Sequence, residues 1–228
     1  MSEQLDLIEA TRDYAVIAKP YGWLSEAPAP GSAASAGENV PDALAQELRN
    51  RSLSFDGVYC IHRLDRTTAG LMVYALNRFA AAKLSAAIQD GTFRKTYRAY
   101  LTPGGELAES GELRDWLFFD RRADKAFVTS PGKKGAKEAV LSYRLTGTVG
   151  LTDAFGDPVE AAAAEVELMT GRSHQIRIQF GSRKSPLIGD GKYGSRVKYH
   201  GPALFSVRLS FPWKNREIVY EERKAKSE

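Results

Sequence analysis

The feature that most restricts how this chain can fold is a strict two-residue alternation over Phe93 to Leu101. Phe93, Lys95, Tyr97, Ala99 and Leu101 fall on one side, and Arg94, Thr96, Arg98 and Tyr100 on the other. Successive side chains of a strand point to opposite faces, so the pattern predicts a strand with one face turned inward. A second alternating run, Ala203 to Phe211, predicts a strand burying Ala203, Phe205, Val207, Leu209 and Phe211. Shorter β-prone runs follow the same logic at Tyr14 to Ala18, Gly57 to Ile61, Gly70 to Leu76, Ala126 to Thr129, Ala139 to Leu145 and Ala162 to Met169. Helical spacing is confined to Asp42–Leu48 after Pro41 and to a segment running to Gln89. In the latter Asn77 is the cap, Phe79, Ala80, Leu84, Ala87 and Ile88 form the apolar face, and Gly91 stands past the end. Many strands in succession with few helices between them predict an α+β protein whose mixed sheet is largely antiparallel and flanked by helices.

A chain of 228 residues can bury roughly 70% of its unfolded surface, so a core without staples is expected. No apolar run approaches the ~18 residues of a spanning helix, and no basic-then-apolar leader is visible, so a cytoplasmic protein without membrane association is expected. The single cysteine, Cys60, has no internal disulfide partner and reads as a small buried hydrophobe on the strand before His62. His62, His174 and His200 match no metal-ligand spacing, so no metal is expected. Without a glycine-rich nucleotide fingerprint or a nucleophile elbow, no cofactor and no serine-hydrolase chemistry are expected either. No coiled-coil seam or exposed apolar stripe is evident, and a monomer is expected.

Charge is unevenly spread. Residues 61–100 hold 7 basic and 2 acidic side chains, and residues 171–200 hold 7 and 1, whereas residues 101–170 hold 8 and 12. Two basic segments suggest a cationic face for a phosphate-rich ligand. The first contains His62-Arg63-Leu64-Asp65-Arg66-Thr67-Thr68-Ala69-Gly70-Leu71, a carboxylate between two arginines at a strand-to-turn boundary. An opposite charge within about 4 to 6 Å favours the ionised carboxylate, which suits a nucleophile or base. The second contains Thr170-Gly171-Arg172-Ser173-His174-Gln175-Ile176-Arg177-Ile178, which fits both periods. Ser173 as cap and the spacing of Ile176 and Phe180 suggest a short helix with Arg172 before an anion-attracting N-terminus. The alternation of Ile176, Ile178 and Phe180 suggests a strand. Ala27 to Gly37 reads as a mobile surface loop, and Pro186 to Gly194 as a glycine-punctuated one.

Taken together these segments resemble the RluA family of RNA pseudouridine synthases. The matching elements are Val16–Gly22, His62–Arg66 with Thr68–Leu71, Lys95-Thr96-Tyr97-Arg98-Ala99, Gly171–Arg177, Gly189–Gly194 and Ala203–Leu204 through Leu209–Pro212, spanning about Leu7 to Trp213. Three positions depart from the family pattern: Phe205 where many members have histidine, Ala69 for a common serine, and Ser185-Pro186 for a frequent His-Pro. The layout implied is a catalytic domain over residues 1–213 and a charged tail over 214–228, with no room before the first motif for an S4-type RNA-binding domain.

The resemblance implies cofactor-free isomerisation of uridine within structured RNA, rRNA or tRNA. Asp65 would be the essential carboxylate, attacking C1′ or C6 or abstracting a sugar proton, and the residues leave these alternatives open. Arg172 would pair with Asp65, Tyr97 would stack on the everted uracil, and Arg63 would hold phosphate or fill the gap. Leu204 would pack against the base, and His62, Arg66 and Ile176 complete the substrate-binding set. A single ionised carboxylate fits such an isomerase better than a glycosidase, which needs a second, protonated carboxyl. A non-catalytic RNA-binding protein on the same scaffold is the alternative, and the retained Asp65, Tyr97 and Arg172 argue against it.

Overall fold

The computed structural model describes residues 5–28 and 38–222. Most of the stretch expected as a mobile loop, residues 29–37, lies outside them. The elements are β1 (Asp6–Ala10), β2 (Tyr14–Lys19), α1 (Val40–Asn50), β3 (Tyr59–Cys60), β4 (Ala69–Ala75), α2 (Arg78–Gln89), β5 (Arg94–Leu101), β6 (Ser110–Asp120) and β7 (Lys125–Thr129). They continue with β8 (Lys137–Thr152), β9 (Pro158–Leu168), α3 (Gln175–Gly181), a 3-10 turn at Gly191–Tyr193, β10 (Leu204–Trp213) and β11 (Arg216–Glu221). Where the sequence reads as one domain followed by a tail, the chain forms two compact units. One holds the described residues up to Lys95 and from Ser206 to residue 222, and the other holds Thr96–Phe205. Residues 216–221 of the expected tail are a strand, because Ile218 and Tyr220, two apart on one face, pack on a core while Glu217, Val219 and Glu221 take the other face.

In the first unit the strand order is β1-β2-β4-β10, with β3 on β4 and β11 on β10. β2 and β4 run antiparallel with Tyr14 opposite Ala75 and Lys19 opposite Gly70. Tyr14, Val16, Leu71, Val73, Leu209 and Phe211 pack against Ala80, Leu84 and Ala87 of α2. At roughly 25 cal/mol per Å² of apolar surface, such burial supplies most of the favourable free energy of folding. The Asn77 side chain accepts the Ala80 amide at 2.8 Å, as its position before the apolar run implies. Asn39 does the same for α1, accepting the Asp42 amide at 3.0 Å. Phe79 departs from expectation. It is 60% exposed, and its ring lies edge-on to Trp213 at 6.3 Å instead of joining the buried face of α2.

A tight approach sets the spacing of β4 and β10. Gly70 has φ +110, and a Cβ built there would lie 2.3 Å from the Ser206 carbonyl oxygen and 2.8 Å from its nitrogen. Only glycine satisfies both the backbone conformation and the clearance. This glycine ends the Asp65 loop, so the loop's exit is anchored to β10.

In the second unit β5, β9, β8, β6 and β7 follow one another, each pair antiparallel. The helix alternative for the 175–181 segment is the one realised, and its physical reason is polar as well as apolar. Ile176 and Phe180 are buried, and Gln179 Nε2 donates to the carbonyl oxygens of Leu113 (3.1 Å) and Ala139 (3.3 Å) and to Asp115 (2.8 Å). Gln175 Nε2 donates to the Val140 carbonyl at 3.1 Å. Both amides therefore lie against the sheet with their Nε2 groups donating, and the Gln175 Oε1 also accepts the Thr170 hydroxyl at 2.8 Å and the Arg172 amide at 3.0 Å.

Candidate active site

Asp65 sits half-buried on the loop between β3 and β4, and the backbone around it is pinned from several sides. The Ser25 hydroxyl donates to the Leu64 carbonyl at 2.8 Å and accepts the Leu64 amide at 3.1 Å. The Thr68 amide donates to the Asp65 carbonyl at 2.9 Å, closing the turn. Gly22 and Arg66 are laced twice: the Gly22 amide donates to the Arg66 carbonyl at 2.9 Å, and Arg66 Nε donates to the Gly22 carbonyl at 2.7 Å.

Lys19 lies beneath this lacing and is only 1% exposed. Its ammonium donates to the carbonyl oxygens of Pro20 (2.9 Å), Trp23 (2.9 Å) and Arg66 (3.3 Å). Burial pulls the Lys19 ammonium down to about 8, the negative charge of Asp65 works in the opposite direction, and the positive charge of Arg66 adds to the lowering. A buried ammonium is tolerated where its protons are all taken, as here. Sequence reasoning placed Lys19 only within the Val16–Gly22 element and gave it no role. The signal was faint, a lysine closing an apolar strand before a proline.

The two arginines beside Asp65 have partners of their own. Arg63 forms an ion pair with Glu26 at 3.0 Å with both side chains well exposed, and Arg66 is the residue bonded to Gly22. The buried ammonium of Lys19 interacts with the charge of Asp65. His62 is a clearer departure. Expected to contact substrate, it is 7% exposed, its Nε2 accepts the Val73 amide at 3.1 Å, and its ring lies 5.3 Å from that of Phe93. Burial, together with the charge of Lys95, holds its imidazole down to about 3. His62 is thus a neutral core residue that fixes the loop entrance to β4. Cys60 donates to the His62 carbonyl, and burial pushes its thiol up to about 12, consistent with an inert side chain.

The remaining expected residues belong to the second unit. Tyr97 is 4% exposed on β5, opposite Val166 of β9. Arg172 is exposed, its Nε donates to the Glu138 carbonyl at 2.8 Å, and its amide donates to Gln175 Oε1 at 3.0 Å. The expected anion site at the start of α3 is not what forms. That helix has seven residues, its cap position is His174 rather than Ser173, and the Arg172 amide is already used by Gln175. His174 adopts φ 55, and its Nδ1 shares a hydrogen bond of 2.8 Å with the Tyr193 hydroxyl, which also accepts the Ala126 amide at 2.7 Å. The Arg177 fork grips Asp190 at 2.6 and 2.8 Å, so the glycine-punctuated loop brings a buried counter-ion to α3. Ile176 and Leu204 are both 4% exposed, and Phe205 packs edge-on against Tyr100 at 6.2 Å.

Comparison with known proteins agrees with this architecture. The family model for RNA pseudouridylate synthase matches residues 13–182. The chain belongs to that family. A tRNA pseudouridine synthase C of Yersinia pestis is 31% identical over 207 residues, which cover 87% of this chain and 74% of that protein. An uncharacterized RNA pseudouridine synthase of Bacillus subtilis is 32% identical over 138 residues, covering 60% of this chain and 42% of that protein, so this chain spans less than half of that relative's length. The solved structure of human RNA pseudouridylate synthase domain containing 1 shares the fold, with a TM-score of 0.72 at 22% identity over 97% of this chain and 84% of that one. Among the described residues no helix is long and apolar enough to cross a membrane.

Proposed function

We propose that this protein isomerises uridine to pseudouridine within structured RNA, with Asp65 as the essential carboxylate. The supporting observation is the way the fold holds Asp65: half-buried, on a loop tied through the Arg66 carbonyl to a buried ammonium that also holds the Pro20 and Trp23 carbonyls, and with its exit fixed at Gly70. A carboxylate held in one position needs little reorganisation on meeting its substrate. In the reaction the C1′–N1 bond breaks, C5 bonds to C1′, the C5 proton goes to water and N1 takes up a proton. No atom is gained or lost overall, and no cofactor is consumed.

A uridine inside a stem must first be everted, at a cost of a few kcal/mol that base stacking and backbone contacts offset. An aromatic face contributes ~1–3 kcal/mol per base. The proposal gives that face to Tyr97, charge balance for the carboxylate to Arg172, packing against the base to Leu204 and Ile176, and RNA contact to Arg63 and Arg66. Because several relatives are named tRNA pseudouridine synthase C, tRNA is the first substrate class to test, with an rRNA hairpin second. The same reading makes the protein cytoplasmic and monomeric.

The test is release of tritium from RNA labelled at uridine C5. Native protein releases it without free uracil, and Asp65→Ala and Asp65→Asn abolish release while leaving the circular dichroism spectrum unchanged. Free uracil would indicate a hydrolase. RNA binding without release, or release undiminished in both variants, would overturn the proposal.

A further inference from the structure

The stretch from residue 101 to 170 is acidic as a whole, yet basic side chains cluster within its central part, on the β6–β7 hairpin and the loop that follows. Between Phe118 and Lys137 lie Arg121, Arg122, Lys125, Lys133, Lys134 and Lys137 against Asp120 and Asp124. Both acids are occupied locally. Asp120 accepts the Arg122 and Ala123 amides at 2.8 and 3.2 Å, and Asp124 binds Lys192 at 2.7 Å. None of the six cations forms an ion pair among the described residues. Elsewhere in the protein Arg51, Arg114, Arg144 and Lys184 each face a carboxylate.

Aromatic rings hold two of these cations in place. Lys133 Nζ stands 4.1 Å from the centre of the Phe118 ring, and Lys125 Nζ lies 5.7 and 5.6 Å from the rings of Phe127 and Tyr193. Such contacts orient an ammonium without neutralising it. The loop carrying Lys133 and Lys134 is itself folded. Lys133 donates its amide to the Ser130 carbonyl, the Ala136 amide returns to the Lys133 carbonyl at 3.0 Å, and Gly135 sits against Phe118. Beside it β7 is an edge strand with Phe127 and Val128 41% and 42% exposed. The result is a positively charged and partly aromatic ridge, which suits a polyanion carrying flat bases.

We infer that the β6–β7 hairpin and the loop 130–137 form a docking surface for the phosphate backbone of RNA. The inference rests on the RNA-modifying reading above and adds where the RNA outside the target nucleotide is held. Contacts of this kind position the nucleic acid without reading its sequence. They also make affinity salt-dependent, each neutralised phosphate contributing roughly 0.7 to 0.9 to the slope of log K against log salt.

The experiment measures binding of a fluorescently labelled unmodified tRNA transcript by anisotropy from 50 to 200 mM KCl. The variant Lys133→Ala/Lys134→Ala/Lys137→Ala is compared with Arg51→Ala/Arg144→Ala/Lys184→Ala, which removes the same formal charge from paired positions. The hairpin variant is expected to bind at least tenfold more weakly at 100 mM and to lose about 2 to 3 from the slope, while the paired variant stays within threefold of native. Turnover at saturating RNA stays within twofold in both. Equal losses in the two variants, unchanged slopes, or no RNA binding by the native protein would overturn the inference. Binding by the native protein without C5 tritium release would defeat the catalytic reading alone and leave the slope comparison decisive for the ridge.

Discussion

Replacing Gly70 by alanine tests whether the Asp65 loop is anchored by close approach to β10. The new methyl group meets the Ser206 carbonyl oxygen at 2.3 Å and its nitrogen at 2.8 Å, in a backbone at φ +110. Gly22 provides the matched reference, since it has φ +84 and no atom within 4 Å of its built Cβ. The left-handed conformation alone costs an L-residue ~1–2 kcal/mol, so Gly22→Ala should lose about that much. Gly70→Ala carries the same conformational cost plus ~1–3 kcal/mol for overpacking against backbone that cannot swing aside. For a chain of this length 1 kcal/mol is roughly 2–4 °C in Tm, giving roughly 2–8 °C for Gly22→Ala and roughly 4–20 °C for Gly70→Ala. Urea unfolding followed by tryptophan fluorescence, in parallel with thermal circular dichroism, reads both. Equal destabilisation of the two variants would refute the close-approach argument, because the steric contribution would then be absent.

Lys19→Met should lower kcat for tritium release by about tenfold to a hundredfold with KM changed less than threefold. Losing the ammonium frees the Arg66, Trp23 and Pro20 carbonyls, and displacing a reacting group by ~1 Å can cost ~10²-fold. An unchanged kcat in a folded variant would remove Lys19 from any positioning role. His62 makes stability depend on pH. Its imidazole is held down to about 3, below the usual 6.5, so the unfolded chain binds the proton first and stability present above pH 6.5 is lost as pH falls toward 3. At ~1.4 kcal/mol per pH unit the loss from pH 6.5 to 5 is about 2 kcal/mol, and His62→Gln, measured by urea unfolding at both values, should abolish that part of the slope. Cys60, with its thiol pushed up to about 12, should be alkylated by iodoacetamide at pH 8 at least a hundredfold more slowly in the native protein than in urea, which mass spectrometry can follow.

What the sequence discloses and what it conceals divide along a physical line. Strand β5 was legible because its alternation is long and unbroken, and α2 because Asn77 and Gly91 mark both ends. The segment at 175–181 was ambiguous because Ile176, Ile178 and Phe180 satisfy both periods. Gln175 and Gln179 decide it by bonding to carbonyls dozens of residues away, and no local pattern contains that information. β11 was hidden because Ile218-Val219-Tyr220 is a short apolar triplet between charged residues without alternation, and β1 and β6 carry no clear period. The site shows the same division. Asp65 stood out through its neighbours in sequence, whereas Lys19 matters through carbonyls at positions 20, 23 and 66, the last of which only the fold brings to it. His62 is adjacent to Asp65 in sequence, yet its ring is spent on Phe93 and on the Val73 amide, contacts that no local pattern discloses.

The ammonium at position 19 grips main-chain oxygens and leaves the side chains around it out of the bargain. Tyr21, Glu26 and Arg63 are exposed and bond to none of these carbonyls, so exchanging them leaves the carbonyl cage in place. On the proposed reading, the rim around the acid can therefore change while the acid keeps its station, and a combinatorial library confined to those outward positions is the natural starting point for altering which RNA is chosen.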